Sequence, residues 1–91
     1  MEYKEIIGGK TYNTDTSTLM KSIVIPENLG DGVIRYKKMD LYYGNRIKSW
    51  FLYINKTTVD RHNNIFDLIE YIVPVDESFG IGFRKKVEDI I

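Results

Sequence analysis

Catalysis by this chain would have to be assembled from few parts. There is no cysteine, so thiolate nucleophiles, disulfides and thiolate metal sites are excluded. The serines are Ser17, Ser22, Ser49 and Ser78, and none sits in the G-x-S-x-G turn that activates a hydrolase serine. The only histidine, His62, lies in Val-Asp-Arg-His-Asn-Asn. As a general base or metal ligand it needs Asp60 or Asp67 beside it. A lone histidine without spaced partners reads as a solvated loop side chain. The stretch Gly80-Ile-Gly-Phe-Arg-Lys-Lys86 carries the first two glycines of a phosphate loop. It lacks the third glycine and the strand-turn-helix context with an acidic residue downstream. The expectation is a non-enzyme with no catalytic residue, no cofactor and no metal site.

Binding chemistry is better represented. Net charge is zero, but the charge is segregated along the chain. Residues 1–32 balance at −2, residues 33–56 at +5, and residues 57–91 at −3. The basic third is Val33–Asn55 with Lys56 beside it. It combines Arg35, Lys37, Lys38, Arg46 and Lys48 with Tyr36, Tyr42, Tyr43, Trp50 and Tyr53. Aromatic faces stack on bases while Arg and Lys meet phosphates. Trp, Tyr and Arg also dominate protein interfaces. A third reading makes the aromatics core and the lysines guards of a sheet edge. The residues expected to contact a partner are Arg35, Tyr36, Lys37, Lys38, Tyr43, Arg46 and Lys48. A rival surface is the acidic third, where Asp60, Asp67, Glu70, Asp76 and Glu77 can mimic phosphates.

The elements that must position these side chains follow from turns and periodicity. Gly8-Gly9 between two short alternating runs predicts a hairpin. Asn13 or Thr14 then predicts a helix N-cap, with Asp15 in the first turn. Leu19, Met20 and Ile23 would be the buried side of that helix and Pro26 its end. Glu27–Val33 reads as a loop. Val33–Tyr43 and Ile47–Asn55 read as a second hairpin closed at Gly44-Asn45. In the return strand Trp50, Leu52 and Ile54 share one face and Ile47, Phe51 and Tyr53 the other, so the strand is central or one face binds. Asn55–Asn64 reads as a polar loop. Residues 65–75 are ambiguous between helix and strand, with β-branched content and Pro74 favouring a strand. Asp76 predicts the cap of a last helix, in which Phe79, Phe83, Val87 and Ile90 recur at helical spacing. Gly80 and Gly82 weaken that helix by about 1 kcal/mol each.

The sum is a single domain over 1–91 of the α+β class. Its small antiparallel sheet comprises two hairpins plus a further strand, with one short helix in the N-terminal half and one C-terminal helix. No apolar run approaches the roughly 20 residues of a membrane span. The N-terminus lacks the pattern of a signal peptide, so a cytoplasmic protein is expected.

The opening Ile-Ile-Gly-Gly-Lys-Thr-Tyr-Asn-Thr-Asp-Thr resembles a group of small proteins from Firmicutes, their phages and mobile elements, with the pattern I-[NG]-G-K-x-Y-[ND]-T-[ED]-T-A. Ile7, Gly9, Lys10, Tyr12, Asn13, Thr14, Asp15 and Thr16 match it, and Ser17 replaces the alanine. Leu41, Tyr42, Gly44, Phe51 and Leu52 are similar to a later hairpin of that group. The resemblance ends after Leu52, where the group continues into a glycine-rich segment and an acidic helix ending in tryptophan. It implies a mobile-element binding protein, with inhibition of a type II CRISPR effector nuclease or its guide RNA among the implied roles. The partner so implied is a host protein or ribonucleoprotein. The rival readings are a small nucleic-acid-binding regulator and a stand-alone interaction domain.

Overall fold

The computed structural model describes the backbone of residues 2–90 and the side chains of residues 2–83. Two strands, β1 (Lys4–Ile7) and β2 (Lys10–Asn13), form the first hairpin. Its turn needs positive φ at both central residues, and Gly8 and Gly9 supply φ of 57° and 80° without steric cost. Four longer strands follow: β3 (Ser17–Gly30), β4 (Val33–Gly44), β5 (Ser49–Val59) and β6 (Ile65–Val75). They make an antiparallel meander in the order β3-β4-β5-β6. A helix, α1 (Glu77–Ile90), closes the chain.

The expected α+β fold with a helix in the N-terminal half is corrected here: the protein is mostly β, and α1 is its α-helix among the described residues. The cap itself forms. Asn13 Oδ1 accepts the Asp15 N–H at 2.9 Å, and Ser17 Oγ donates to the Asn13 carbonyl at 2.7 Å. Only a three-residue 3-10 turn, Thr14–Thr16, follows before the chain becomes β3. The segment is rich in β-branched residues, which favour the pleated surface, and it pairs with β4 from Ser17↔Gly44 to Gly30↔Val33. The helical spacing has a physical origin in a bulge. The register shifts between Leu19 and Lys21, so Met20 is the extra residue. Met20 packs against the same core cluster as Met39, the residue that Ile23 faces across the ladder. A bulged strand thus places residues three apart on one side, while Leu19 is left 51% exposed. Pro26, expected to end a helix, lies within β3, where an edge strand tolerates a missing donor.

Two expected loops are in large part strand. Between β3 and β4 the turn contracts to Asp31-Gly32, and β5 runs on through Asn55–Val59. The polar residues of β5 hold one another along the strand. Thr57 Oγ1 donates to Asn55 Oδ1 at 2.7 Å, and Asn55 Nδ2 to the Tyr53 hydroxyl at 3.2 Å. The remaining turn is built on Asp60, whose Oδ1 accepts the N–H groups of His62 (2.8 Å) and Asn64 (3.0 Å). The second hairpin closes over Asn45–Lys48 rather than at Gly44-Asn45, since Gly44 still pairs with Ser49.

Both faces of the sheet carry core. On one, the β1–β2 hairpin packs Tyr12 onto Phe51 and Ile72, with Tyr3, Ile7, Tyr42, Ile47 and Tyr53 around them. On the other, Leu41, Leu52 and Ile54 are buried beneath Met20, Met39, Trp50, Tyr71, Val75 and Phe83. Phe51 and Leu41 are fully buried. Burial of such side chains stabilises by about 1.5–3 kcal/mol each. Residues 65–75 are a strand, as their composition favoured, and Asp76 caps α1 by accepting the Phe79 N–H at 2.7 Å. Gly80 has a role that helix propensity does not show. A Cβ there would lie 2.7 Å from Trp50 Cε3, so the missing side chain lets α1 sit on the indole. Phe79 and Phe83 stack at 6.1 Å. The expected inward positions Val87 and Ile90 lie outside the residues whose side chains are described.

The edges of the sheet are guarded at one end. Glu5 Oε2 accepts the Ile72 N–H at 3.2 Å, and the Tyr3 hydroxyl reaches the Glu70 carbonyl at 3.0 Å. The hairpin's side chains thus occupy backbone groups of β6 that another strand would use, and Pro74 offers no donor beyond them.

Candidate binding surface

Alternation along β4 decides where the expected contact residues go. Register with β5 places Tyr36, Lys38, Asp40 and Tyr42 on the hairpin side of the sheet. Arg35, Lys37, Met39, Leu41 and Tyr43 lie on the helix side. About 30 Å of strand separates Arg35 from Gly44, where the turn bearing Arg46 and Lys48 begins. Six of the seven residues therefore form three separate groups. Tyr36 and Lys38 share one face, Arg35 and Lys37 the other, and Arg46 and Lys48 occupy the far turn. Tyr43 is half-buried, edge-on to Trp50 at 5.2 Å, and Trp50 belongs to the core under α1.

The hairpin and α1 both sit over the end of the sheet near Tyr43, Trp50 and Val75. Toward the Asp31-Gly32 and Asp60–Asn64 turns, neither face is covered by another described element. The hairpin-side face of this open half is built of cross-strand rows. Val24, Lys38, Asn55 and Glu70 make the first, and Pro26, Tyr36, Thr57 and Leu68 the second. Asn28, Ile34, Val59 and Ile65 make the third. The last two rows carry no charge, yet Tyr36 is 40%, Leu68 52% and Ile65 65% exposed.

Where the hairpin layer stops, a recess of about 290 Å³ opens onto this face, lined by Tyr3, Lys38, Asp40, Tyr42, Tyr53, Asn55 and Glu70 among others. Asp40 is 3% exposed and is held by the Ser22 hydroxyl and by Lys38 at 3.4 Å. The Tyr53 hydroxyl donates to Glu70 Oε2 at 2.8 Å. The Tyr3 hydroxyl is pushed up to about 12, chiefly by its hydrogen bond to Glu5, then by desolvation. Desolvation raises Tyr42 and Tyr53, and Asp40 adds to the shift of Tyr42. These phenols stay protonated beside carboxylates, which suits hydrogen bonding rather than proton transfer at neutral pH.

The opposite face of the open half is different. Its rows are Ile25, Lys37, Lys56 and Ile69, then Glu27, Arg35, Thr58 and Asp67. Lys56 stands 5.6 Å above the Tyr71 ring. Lys56, Leu68 and Ile65 were absent from the expected contact set. Lys56 had counted toward the local +5 balance, but its place beside Lys37 depends on the β4–β5 register.

His62 is exposed in the β5–β6 turn, its N–H bound to Asp60. The Asp60 carboxyl lies below its usual range, because it accepts the backbone N–H groups of Asn64 and His62. Among the described residues no group of three His, Cys, Asp or Glu is placed to hold a metal. Of the acidic set considered as a phosphate mimic, Asp60 caps a turn, Glu70 binds Tyr53 and Asp76 caps α1. Arg46 lines a second recess of about 270 Å³ with Lys10 and Ile47, at the far end of the sheet. No described helix is long and apolar enough to cross a membrane. No protein-family model, curated protein or solved structure matches the chain.

Proposed function

We propose that this chain is a small non-enzymatic binding protein that lays the open half of its sheet against a host protein or ribonucleoprotein. The observation that carries the reading is the uncovered, uncharged pair of rows around Tyr36, Leu68 and Ile65. Contiguous apolar surface of this kind on a soluble protein marks a contact site. A protein partner suits it, since burial of apolar area and of a central tyrosine drives such contacts. Lys38, Asn55 and Glu70 form a polar rim between this surface and the recess. The other candidate residues take different parts: Arg35 and Lys37 belong to the opposite face, and Tyr43, Arg46 and Lys48 stand outside the contact.

The N-terminal resemblance to Firmicutes mobile-element proteins is the ground for proposing a type II CRISPR effector nuclease as the target class, met in the host cytoplasm with or without its guide RNA. Inhibition by occupying a surface needs no catalytic group. The test is binding of purified effector, with and without guide, to the parent chain and to Tyr36→Glu/Leu68→Glu. Both positions are exposed, so the fold should lose only about 0.5 kcal/mol at each. The expected result is a loss of affinity of roughly a hundredfold or more, as for truncation of hot-spot residues. Unchanged binding by the folded variant overturns the surface, and no binding by the parent overturns the target class. A dimer of the parent dissolved by the same substitutions assigns the face to a second copy and also overturns the reading.

A further inference from the structure

The helix-side face of the open half carries an arrangement that the fold alone does not account for. Lys37 and Lys56 are direct cross-strand partners on adjacent central strands. Like charges in that relation destabilise a sheet. Arg35 lies two residues along β4 on the same face, about 7 Å from Lys37. Glu27 and Asp67 flank the next row on the edge strands. Among the described residues, neither comes within 4.0 Å of a basic group, and the one ion pair found, Lys38–Asp40, is on the other face. Between Arg35 and Asp67 stands Thr58, 2% exposed, whose Oγ1 has no hydrogen-bond partner. Among the described residues, three cations with no carboxylate within 4.0 Å and one orphaned hydroxyl thus share two neighbouring rows. All four are donors, and what they lack is an acceptor with several oxygens.

We infer that this face binds the phosphate backbone of a single-stranded nucleic acid, through Lys37, Lys56 and Arg35, with Thr58 supplying a hydroxyl donor. A small free anion is the poorer fit, because the cations, each half-buried, are spread over two rows of a sheet face rather than set around a closed pocket. A chain of phosphates can follow such a line, and Tyr71 beside Lys56 offers an aromatic edge to an unstacked base. Thr58 is buried, so its contact with a phosphate requires neighbouring side chains to move aside. The site is on the opposite face from the protein contact proposed above and does not depend on it.

The substitution Lys56→Glu separates binding from folding. It turns the repulsive Lys37–Lys56 pair into an attractive one, so the melting temperature should hold or rise. Anisotropy of a labelled homopolymeric oligoribonucleotide should show affinity weakened roughly tenfold, with the slope of log K against log salt reduced by about 0.7 for the lost contact. Thr58→Val should likewise keep or raise the melting temperature while weakening binding. Tyr36→Glu/Leu68→Glu, on the other face, should bind the oligonucleotide as the parent does. Equal binding by parent and Lys56→Glu overturns the inference. So does competition by inorganic phosphate at the same phosphate concentration, which would make this a simple anion site. Loss of oligonucleotide binding in the Tyr36/Leu68 variant alone would place the nucleic acid on the wrong face and also overturn it.

Discussion

Two glycines of α1 offer a comparison in which helix propensity cancels. Gly80 and Gly82 sit two residues apart in one helix, and replacing either by alanine should stabilise that helix by about 0.8–1 kcal/mol. Their surroundings differ. A Cβ at Gly82 meets nothing within 4 Å, whereas one at Gly80 would lie 2.7 Å from Trp50 Cε3 and 2.8 Å from Cδ2. The indole is wedged against Tyr43 and is part of the core, so it cannot yield cheaply. Overpacking of this kind costs about 1–3 kcal/mol. Gly82→Ala should therefore stabilise by up to about 1 kcal/mol, while Gly80→Ala should be neutral to destabilising by about 2 kcal/mol. The gap, about 1–3 kcal/mol, corresponds to roughly 4–20 °C between their melting temperatures in a domain of this size. Urea denaturation followed by Trp50 fluorescence measures it directly. If Gly80→Ala gains as much stability as Gly82→Ala, α1 does not dock on Trp50 as described.

Three further outcomes are expected. Asn13→Ala removes the acceptor for the Asp15 N–H and should cost about 0.5–2 kcal/mol in denaturant titration, with Asn13→Asp retaining most of it. Glu5→Ala exposes the Ile72 N–H at the edge of β6, and light scattering should show concentration-dependent association that the parent lacks. The phenol of Tyr3, raised to about 12 from 10.0, favours the folded state while protonated. That contribution is complete below pH 10 and should fade as pH rises from 10 toward 12, with a shallower alkaline loss in Tyr3→Phe measured by circular dichroism.

Local chemistry made part of this molecule legible in its residues. The Gly8-Gly9 turn, the alternation of β4 and β5 and the Asp76 cap each rest on a few neighbouring side chains, and each is where the sequence places it. β3 was not legible, because the bulge at Met20 imitates a helical face and only the ladder with β4 resolves it. The ends of β5 were hidden by polar residues that bond one another along the strand. The basic segment was evident as composition, but a period of two divides it between opposite faces, which a charge count cannot detect. Which half of the sheet stays open was beyond reach of the sequence, since it depends on where the hairpin and α1 come to rest.

Hydrogen–deuterium exchange of the chain, alone and with a purified type II effector and its guide, tests the binding surface most directly. The backbone of residues 34–38, 55–59 and 65–69 should gain protection in the complex, while residues 45–48 at the far turn keep their free rates. Protection confined to residues 45–48 and the β1–β2 turn, with the open half exchanging as in the free protein, would contradict it.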